Sequence, residues 1–187
     1  MKKKEKLSPN LNWSACDKAL YQDYLTRLEE AGVTAEYIAC YHPIIQDPLD
    51  HGVKSVVDIG CGSGVQGYLF RAFGIRYVGI EGVDRNLRLG EVGETGDDLI
   101  IRKGFYPCDI PEAEGIDTAL SMYALGSRDL WQYLPKQLLA IRKKFKTLYM
   151  ATFSFPLKFA SLFMKVQEWH LPDSEAEGSP SLVVYGR

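Results

Sequence analysis

The sequence has few cysteines, and none of them form a pair with the spacing of a metal site or a redox motif. The four cysteines are scattered along 187 residues, at Cys16, Cys40, Cys61 and Cys108. Disulfide frameworks need clustered cysteines and an oxidising compartment. We therefore expect reduced thiols in a cytoplasmic protein.

Long apolar runs and an excess of one charge are also absent. No uncharged stretch approaches the roughly 18 residues of a membrane span, so no membrane partner is expected. Residues 1–6 are basic, but Ser8, Pro9 and Asn10 follow where a signal peptide has its apolar region. The 22 Lys and Arg against 24 Asp and Glu give a formal charge of −2. This balance argues against a globally basic nucleic-acid binder, although a local basic patch remains open.

The apolar pattern has helical spacing near the N-terminus and changes after residue 52. A helix is predicted over 13–31, capped by Ser14 or Asp17 and ended by Gly32, and a short helix over 35–41 precedes a loop around Pro48. Strands and helices then alternate, which predicts an α/β, doubly wound, mostly parallel sheet. Seven strands are predicted, over 55–59, 77–80, 99–101, 117–122, 147–152, 165–169 and 181–185, with a turn over 93–98.

The last two predicted strands are joined by a loop alone and must therefore be antiparallel. We divide the chain into an N-terminal helical segment, 1–52, and a sheet domain, 53–187. The first of these is expected to cover the site as a substrate lid. Trp13, Tyr21 and Tyr41 would provide aromatic contacts in such a lid, or would instead pack in the core.

The most informative segment is a short apolar strand that leads into three alternating glycines. Residues 56–64 read Val-Val-Asp-Ile-Gly-Cys-Gly-Ser-Gly, and a helical pattern follows directly. Glycine allows a sharp turn and lets a ligand approach the backbone where a Cβ would collide with it. Asp58 stands at the carboxyl end of the strand, where open α/β sheets bind ligands. A carboxylate there repels a pyrophosphate and attracts an amino group or a sulfonium, which predicts a cationic cofactor.

This segment resembles the glycine-rich motif of class I S-adenosylmethionine-dependent methyltransferases, a D/E-x-G-x-G-x-G pattern. Asp58, Gly60, Gly62 and Gly64 match the motif, and Cys61 stands between the first two glycines. The resemblance implies a Rossmann-like fold and S-adenosylmethionine as cofactor. It also implies that Gly60, Gly62 and Gly64 shape the cofactor loop, that Asp58 holds the methionine end, and that Cys61 is among the cofactor-binding residues.

Later segments follow the order of the same family over roughly residues 53–187. Residues 77–81, Tyr-Val-Gly-Ile-Glu, resemble the second strand, and the resemblance implies that Glu81 holds the ribose hydroxyls. Residues 116–122 resemble the fourth strand, which leads to the active-site lip. The closing strand pair resembles the antiparallel sixth and seventh strands.

The sequence departs from the family after the third strand, where members usually have an acidic residue that binds the adenine amino group. This chain has Gly104, Phe105, Tyr106 and Pro107 there. We therefore expect Phe105 and Tyr106 to contact the cofactor, with apolar packing and backbone hydrogen bonds replacing the carboxylate. The alternative is Asp109, as an acidic residue displaced by a few positions.

A second interpretation of the glycines is the nicotinamide dinucleotide fingerprint. Residues 62–67 read Gly-Ser-Gly-Val-Gln-Gly, which is G-x-G-x-x-G. Asp58 argues against it, because its charge would lie close to the phosphates of a dinucleotide. The separation of Gly62 and Glu81 in the sequence is short for the strand-helix-strand unit of a dinucleotide-binding fold. The chain also has little room for a second catalytic domain. Methyl transfer is the favoured interpretation.

Candidate residues for the acceptor side are few. Methyl transfer needs an in-line nucleophile, and a base only where the acceptor must lose a proton. Tyr123, directly after the fourth family strand, is the first candidate for a catalytic position. His170, at the end of the sixth predicted strand, and His42, in the N-terminal segment, are the others, and each has an ordinary surface histidine as its alternative.

The acceptor itself is expected to be a small molecule. No N/D-P-P-Y/F motif of amino-group methylation follows the fourth strand, and the chain has no long insertion for recognising a large substrate. An RNA- or protein-directed methyltransferase is the alternative, and a third is a non-catalytic subunit that keeps the fold. Residues 142–146, Arg-Lys-Lys-Phe-Lys, are basic at a predicted helix end, where cations suit the helix dipole but also allow RNA binding.

Overall fold

The computed structural model describes residues 11–32, 42–83, 93–94, 96–122, 124–125, 132–152, 164–170 and 181–186. The helices are α1 (Lys18–Glu30), α2 (His42–Asp50), α3 (Gln66–Ala72) and α4 (Leu134–Lys144), with short 3-10 turns at Trp13–Ala15 and Pro111–Ala113. The strands are β1 (Ser55–Ile59), β2 (Arg76–Glu81), β3 (Gly93–Glu94), β4 (Leu99–Lys103), β5 (Thr118–Met122), β6 (Thr147–Thr152), β7 (Met164–His170) and β8 (Ser181–Gly186).

The described strands form one eight-stranded sheet in the order β3-β4-β2-β1-β5-β6-β8-β7. β1, β2, β4, β5 and β6 are parallel, whereas β3 is antiparallel to β4 and β8 is antiparallel to β6 and β7. The predicted α/β fold is confirmed, and all seven predicted strands are present. The additional strand, β3, lies where we predicted a turn. Two residues are too few for an alternating pattern to show in the sequence.

Helices cover both faces of the sheet. Tyr24 of α1, Ile44 of α2 and Leu69 of α3 are buried against one face, and Leu138 of α4 is buried against the other. Successive residues of a strand point to opposite faces, so each of β1, β2, β4, β5 and β6 contributes to both cores. Within the described residues, no helix has the length and apolar character needed to cross a membrane.

α1 begins at Asp17, one of the two predicted caps. Its carboxylate accepts hydrogen bonds from two N–H groups of the first turn at 2.9 and 3.1 Å. The Asp17 N–H donates to the carbonyl of Ala72 at the end of α3. Ten residues later in α1, the guanidinium carbon of Arg27 lies 5.4 Å from the centroid of the Tyr68 ring. Tyr68 is near the start of α3. The two helices therefore run antiparallel.

α2 lies where the sequence predicted a loop around Pro48. Ile44 and Pro48 are both buried against the sheet, and this packing offsets the N–H that proline lacks in a helix. The hydroxyl of Tyr149 in β6 donates to the carboxylate of Asp47, which fixes α2 to the sheet. The short helix predicted over 35–41 lies outside the described residues.

The strand order reverses between β1 and β5. β2 and β4 lie on one side of β1, and β5 and β6 lie on the other. In open α/β sheets this reversal opens a crevice at the carboxyl ends of the strands, and ligands bind there. The glycine loop that follows β1 stands at this crevice.

Candidate functional site

The glycine loop makes a sharp turn from β1 into α3. Gly60, Gly62 and Gly64 all have positive φ angles, of 78°, 60° and 72°. A Cβ at Gly60 would lie 2.1 Å from the Cβ of Ala124, and one at Gly64 would lie 2.2 Å from the Cδ1 of Ile101. At Gly62 no atom lies within 4 Å of such a Cβ. The loop is therefore closely packed at its two ends and open at Gly62.

Several N–H groups of the loop donate to acceptors within the protein. Gly60 and Cys61 both donate to the carbonyl of Ile80, at 2.8 and 3.0 Å. Gly64 donates to the carbonyl of Cys61 at 3.0 Å. A phosphate-binding loop instead points its N–H groups at the ligand. These contacts make the loop a poor cradle for an anion.

Glu81 contacts the loop from the end of β2. Its Oε2 accepts from the Gly62 N–H at 2.9 Å, and its Oε1 accepts from the Val83 N–H at 2.7 Å. The side chain is 5% exposed. A carboxylate has about four lone-pair sites, so both oxygens keep capacity for a further donor such as a hydroxyl.

Asp58 lies beneath the loop and is completely buried. Its Oδ2 accepts from the Tyr77 hydroxyl at 2.6 Å and from Gln66 Nε2 at 2.9 Å, and the same Nε2 also donates to the Cys61 carbonyl at 2.7 Å. Its Oδ1 is buried and has no hydrogen-bond partner in the described part of the chain. Burial raises the pKa of Asp58; the charge of Glu81 acts in the same direction, and the two hydrogen bonds oppose it.

The sequence does not single out Gln66 and Tyr77, which complete this arrangement. Gln66 interrupts an apolar run at the start of α3, and a buried amide needs hydrogen-bond partners. That interruption is a signal that sequence reasoning can use. Tyr77 gives no such signal, because tyrosine is common in buried strands.

The two aromatic residues after β4 take different positions. Phe105 is 61% exposed, and its ring covers Gly82, where a Cβ would lie 2.4 Å from a ring carbon. It therefore lies beside Glu81 at the crevice. Tyr106 is buried under α4, and its carbonyl accepts from Gln137 Nε2 at 3.0 Å. Of the two rings, that of Phe105 is the one available to a ligand.

Asp109 does not replace the missing acidic residue. It lines an open cavity of about 370 Å³ together with Asp117, just before β5, and Lys144, at the end of α4. Both of these positions belong to the amino edge of the sheet, opposite the glycine loop. After Phe105 the chain runs along α4 toward the amino edge of the sheet. Asp109 therefore lies away from the crevice.

The turn after β5 is held against the end of β1. Ser121 Oγ donates to the carbonyl of Ile59 at 2.9 Å and accepts from the Leu125 N–H at 3.1 Å. Ala124 packs against the glycine loop. The predicted site residue Tyr123 lies outside the described residues, but its neighbours in the chain stand at the crevice.

The two candidate histidines are not brought together. His42 is the first residue of α2, and His170 is the last residue of β7; the side chains of both lie outside the described part. β8, β6 and β5 separate β7 from β1, so His170 is about 19 Å from β1 at a strand spacing of about 4.8 Å. Among the described residues, no three His, Cys, Asp or Glu are placed to bind a metal ion.

Trp13 and Tyr21 pack away from the crevice. Their rings pack edge to face with the ring centroids 5.1 Å apart. The centroid of the Trp13 ring also lies 5.8 Å from that of Phe73. Because α3 leads from the glycine loop to the amino edge, Phe73 lies at the edge opposite the site. Tyr21 therefore packs against the core, Trp13 is 45% exposed beside it, and the described contacts of both lie at the edge opposite the crevice. Tyr41 lies outside the described residues.

The fold places the chain among known structures. No family model matches the sequence, and no curated protein shows significant similarity to it. The methyltransferase domain of bacterial CtHen1 is similar with a TM-score of 0.60 at 12% identity, over 78% of this chain and 96% of that chain. A putative RNA methyltransferase from Pyrococcus horikoshii, PH1948, gives a TM-score of 0.58 at 15% identity, over 79% of this chain and 83% of that chain.

A further similar structure is the complex between the Haloferax volcanii Trm112 methyltransferase activator and a putative methyltransferase. It gives a TM-score of 0.56 at 14% identity, over 90% of this chain and 96% of that chain. At such identities the similarity shows the fold. The chain has a Rossmann-like fold that these methyltransferase structures share, as the resemblance of the glycine motif implies.

Proposed function

We propose that the chain binds S-adenosylmethionine at the glycine loop and transfers its methyl group to an acceptor in the crevice. The observation that carries this proposal is the placement of two carboxylates around the loop. Glu81 accepts from the Gly62 N–H, and Asp58 is buried beneath the loop. Such a loop suits a ligand with cationic and hydroxyl groups and repels the phosphates of a dinucleotide.

The residues present fit the parts of this cofactor. Asp58, whose Oδ1 lacks a donor, would attract the amino group of the methionine part. Glu81 keeps acceptor capacity for the ribose hydroxyls. The exposed ring of Phe105, beside Glu81, offers a face on which the purine would stack.

The loop residues would contribute through their backbone. Gly62 leaves open space in which a ligand can approach the chain closely. Cys61 is 4% exposed, and its Sγ packs against Gly79, so its side chain does not face the crevice. Burial raises the pKa of the Cys61 thiol well above its usual range, which argues against a nucleophilic role.

When bound, the cofactor supplies a methyl group on a sulfonium, which an in-line nucleophile displaces. The chain's own task is to hold cofactor and acceptor in line. A base is needed only for an acceptor that must lose a proton. Tyr123 is the first proposed residue for the acceptor side, because its neighbours stand at the crevice; His42 and His170 are the others.

We propose a small-molecule acceptor first, because most of the described residues build the sheet and its two cores. An RNA acceptor is the second candidate. It is favoured by exposed cations on α4, and it agrees with the description of PH1948 as a putative RNA methyltransferase.

Calorimetric titration of the full chain with S-adenosylmethionine, S-adenosylhomocysteine and NADH tests the cofactor. We expect both sulfur nucleosides to bind at micromolar concentration and NADH to bind at least about tenfold more weakly, because the two carboxylates disfavour its pyrophosphate. Absence of binding by S-adenosylhomocysteine, or tighter binding of NADH, would refute the proposal.

A further inference from the structure

Positive charge is concentrated in one part of the chain. Residues 130–167 contain seven lysines and arginines and no aspartate or glutamate, although acidic residues outnumber basic ones in the whole sequence. Five of the seven lie in α4 or directly after it: Lys136, Arg142, Lys143, Lys144 and Lys146.

Three of these cations are exposed and form no ion pair within the described part of the chain: Lys136, Arg142 and Lys143. Of the other two, Lys146 pairs with Asp117 at 2.8 Å, and Lys144 stands over the Phe145 ring and lines the cavity that Asp109, Glu114 and Asp117 share. The remaining positive charge is therefore on the outer side of the helix.

The helix dipole explains only part of this pattern. Cations in the last turn of a helix are favourable, which accounts for Arg142 and Lys143. Lys136 is the third residue of α4, where the dipole disfavours a positive charge. Lys136 is exposed and unpaired among the described residues, so its charge is available to a negative partner from outside the chain.

Apolar side chains are interleaved with these cations. Tyr133 is 54% exposed at the start of α4, and Leu139 is 45% exposed in its middle. Lys136, Leu139 and Lys143 are spaced at i, i+3 and i+7, so they share one stripe of the helix. We call Tyr133, Lys136, Leu139, Arg142 and Lys143 the α4 stripe.

The α4 stripe begins beside the candidate site. Gln137, the neighbour of Lys136, donates to the carbonyl of Tyr106. Phe105 precedes Tyr106 and lies at the crevice beside Glu81. The eleven residues of α4 extend over about 16 Å, so the stripe leads from the crevice along the outer face of the protein.

We propose that the α4 stripe binds the phosphate backbone of RNA and stacks an unpaired base on Tyr133. Lys136 and Lys143 lie about 10 Å apart along the helix, which suits phosphates of one strand. An exposed aromatic ring suits a splayed base, which is typical of single-stranded RNA. Two separate apolar side chains do not make the apolar core of a stable protein interface. The inference deepens the second candidate acceptor and rests on the proposed function for the substrate role, but RNA binding itself needs no cofactor.

Fluorescence anisotropy with a labelled, unpaired 15-nucleotide RNA tests the proposal on the full chain. The variant Lys136→Gln/Lys143→Gln removes two cations of the α4 stripe. The matched control, Lys18→Gln/Lys54→Gln, removes two exposed lysines at the start of α1 and before β1, with the same change in charge. Duplex DNA of the same sequence and polyglutamate are the competing ligands, and each protein is also titrated with S-adenosylhomocysteine.

We expect the stripe variant to bind RNA about tenfold more weakly, with the salt slope reduced by about 1.4 for two lost contacts to a single strand. The RNA affinity of the control variant should stay within about twofold of the wild type. That of Tyr133→Ala should fall about fivefold, because stacking on the ring is lost. Equal weakening of both double variants, no RNA binding below 100 µM at about 50 mM salt, or equal affinity for duplex DNA or polyglutamate would overturn the proposal. Failure of S-adenosylhomocysteine to bind any of the proteins would refute the proposed function and leave the RNA result intact.

Discussion

The carboxylate of Glu81 accepts a hydrogen bond from the Gly62 N–H at 2.9 Å, across 19 residues of sequence. The contact joins the end of β2 to the one position of the glycine loop that has open space beside it. The same side chain therefore supports the loop and stands where a ligand would meet it. Substitutions at this position can separate the two tasks.

Glu81→Gln should weaken cofactor binding while leaving the fold intact. The amide oxygen of glutamine can still accept from the Gly62 N–H, whereas the bond from the Val83 N–H is lost because the NH2 group is not an acceptor. Hydrogen bonds to ribose hydroxyls also lose their charge. Charge-assisted hydrogen bonds are roughly twice as strong as neutral ones, so we expect a loss of about tenfold in S-adenosylhomocysteine affinity by calorimetry. Glu114→Gln, an exposed glutamate at the opposite edge, is the control and should bind like the wild type. Unchanged affinity in Glu81→Gln would contradict the ribose assignment.

Phe105→Ala should lose affinity without losing stability. Stacking of a base on an aromatic ring is worth about 1–3 kcal/mol, so we expect at least about fivefold weaker binding of S-adenosylhomocysteine. The melting temperature should change little, because the side chain is 61% exposed. Leu139→Ala, also exposed, is the control for removing surface apolar area, and Phe105→Trp should show fluorescence quenching on binding. Equal affinities of wild type and Phe105→Ala would show that the ring does not contact the cofactor.

Asp58→Asn should change how stability depends on pH. Burial raises the pKa of Asp58 in the folded state, so the stability that its protonated form provides is complete below the unfolded pKa of about 3.9 and is lost as pH rises through the folded pKa. Asparagine does not ionise. The melting temperature of the variant relative to wild type should therefore increase from pH 4 to pH 8, measured by circular dichroism.

The control for that series is Asp97→Asn, which changes an exposed carboxylate. Its melting temperature relative to wild type should show no comparable trend. A constant difference between Asp58→Asn and wild type over the same range would mean that Asp58 does not titrate as its burial requires.

Gly60→Ala should destabilise the protein more than Gly52→Ala. Both glycines have positive φ angles, 78° and 68°, so both substitutions bring backbone strain of about 1 kcal/mol. At Gly52 a Cβ meets no atom within 4 Å, whereas at Gly60 it would lie 2.1 Å from the Cβ of Ala124. We expect a further loss of about 2 kcal/mol at Gly60 from this overlap, measured by urea unfolding. Similar losses for both variants would contradict the close packing of the loop against the turn after β5.

Local signals in the sequence predict most of the sheet. The alternation of short apolar runs with helical stretches predicts the seven longer strands. Residue type predicts Ser14 or Asp17 as the cap of α1, and the structure has Asp17. The resemblance of residues 77–81 to the second strand of the family, not a local pattern, is what predicts Glu81 as a site residue. Where prediction fails, tertiary packing decides: Pro48 stays in a helix because it is buried, and Asp109 is carried to the far edge by the path of the loop after β4.

The contacts that complete the site could not be predicted, because they depend on pairs that only the folded chain brings together. The Tyr77 hydroxyl reaches Asp58 across 19 residues, and Ser121 reaches Ile59 across 62. Serine and tyrosine are common in strands that have no such role. Sequence periodicity shows which face of a strand is buried, but it does not show which polar atom meets another.

The position of β8 between β6 and β7 has a consequence for the order of assembly during synthesis. In the described sheet β7 pairs with β8, which follows it in the chain, and β8 in turn pairs with β6. β7 must therefore wait for residues 171–186, about one to three seconds at a synthesis rate of 5–20 residues per second. The parallel pairing of β1, β2, β4, β5 and β6, beside the glycine loop, Asp58 and Glu81, needs no residue after position 152.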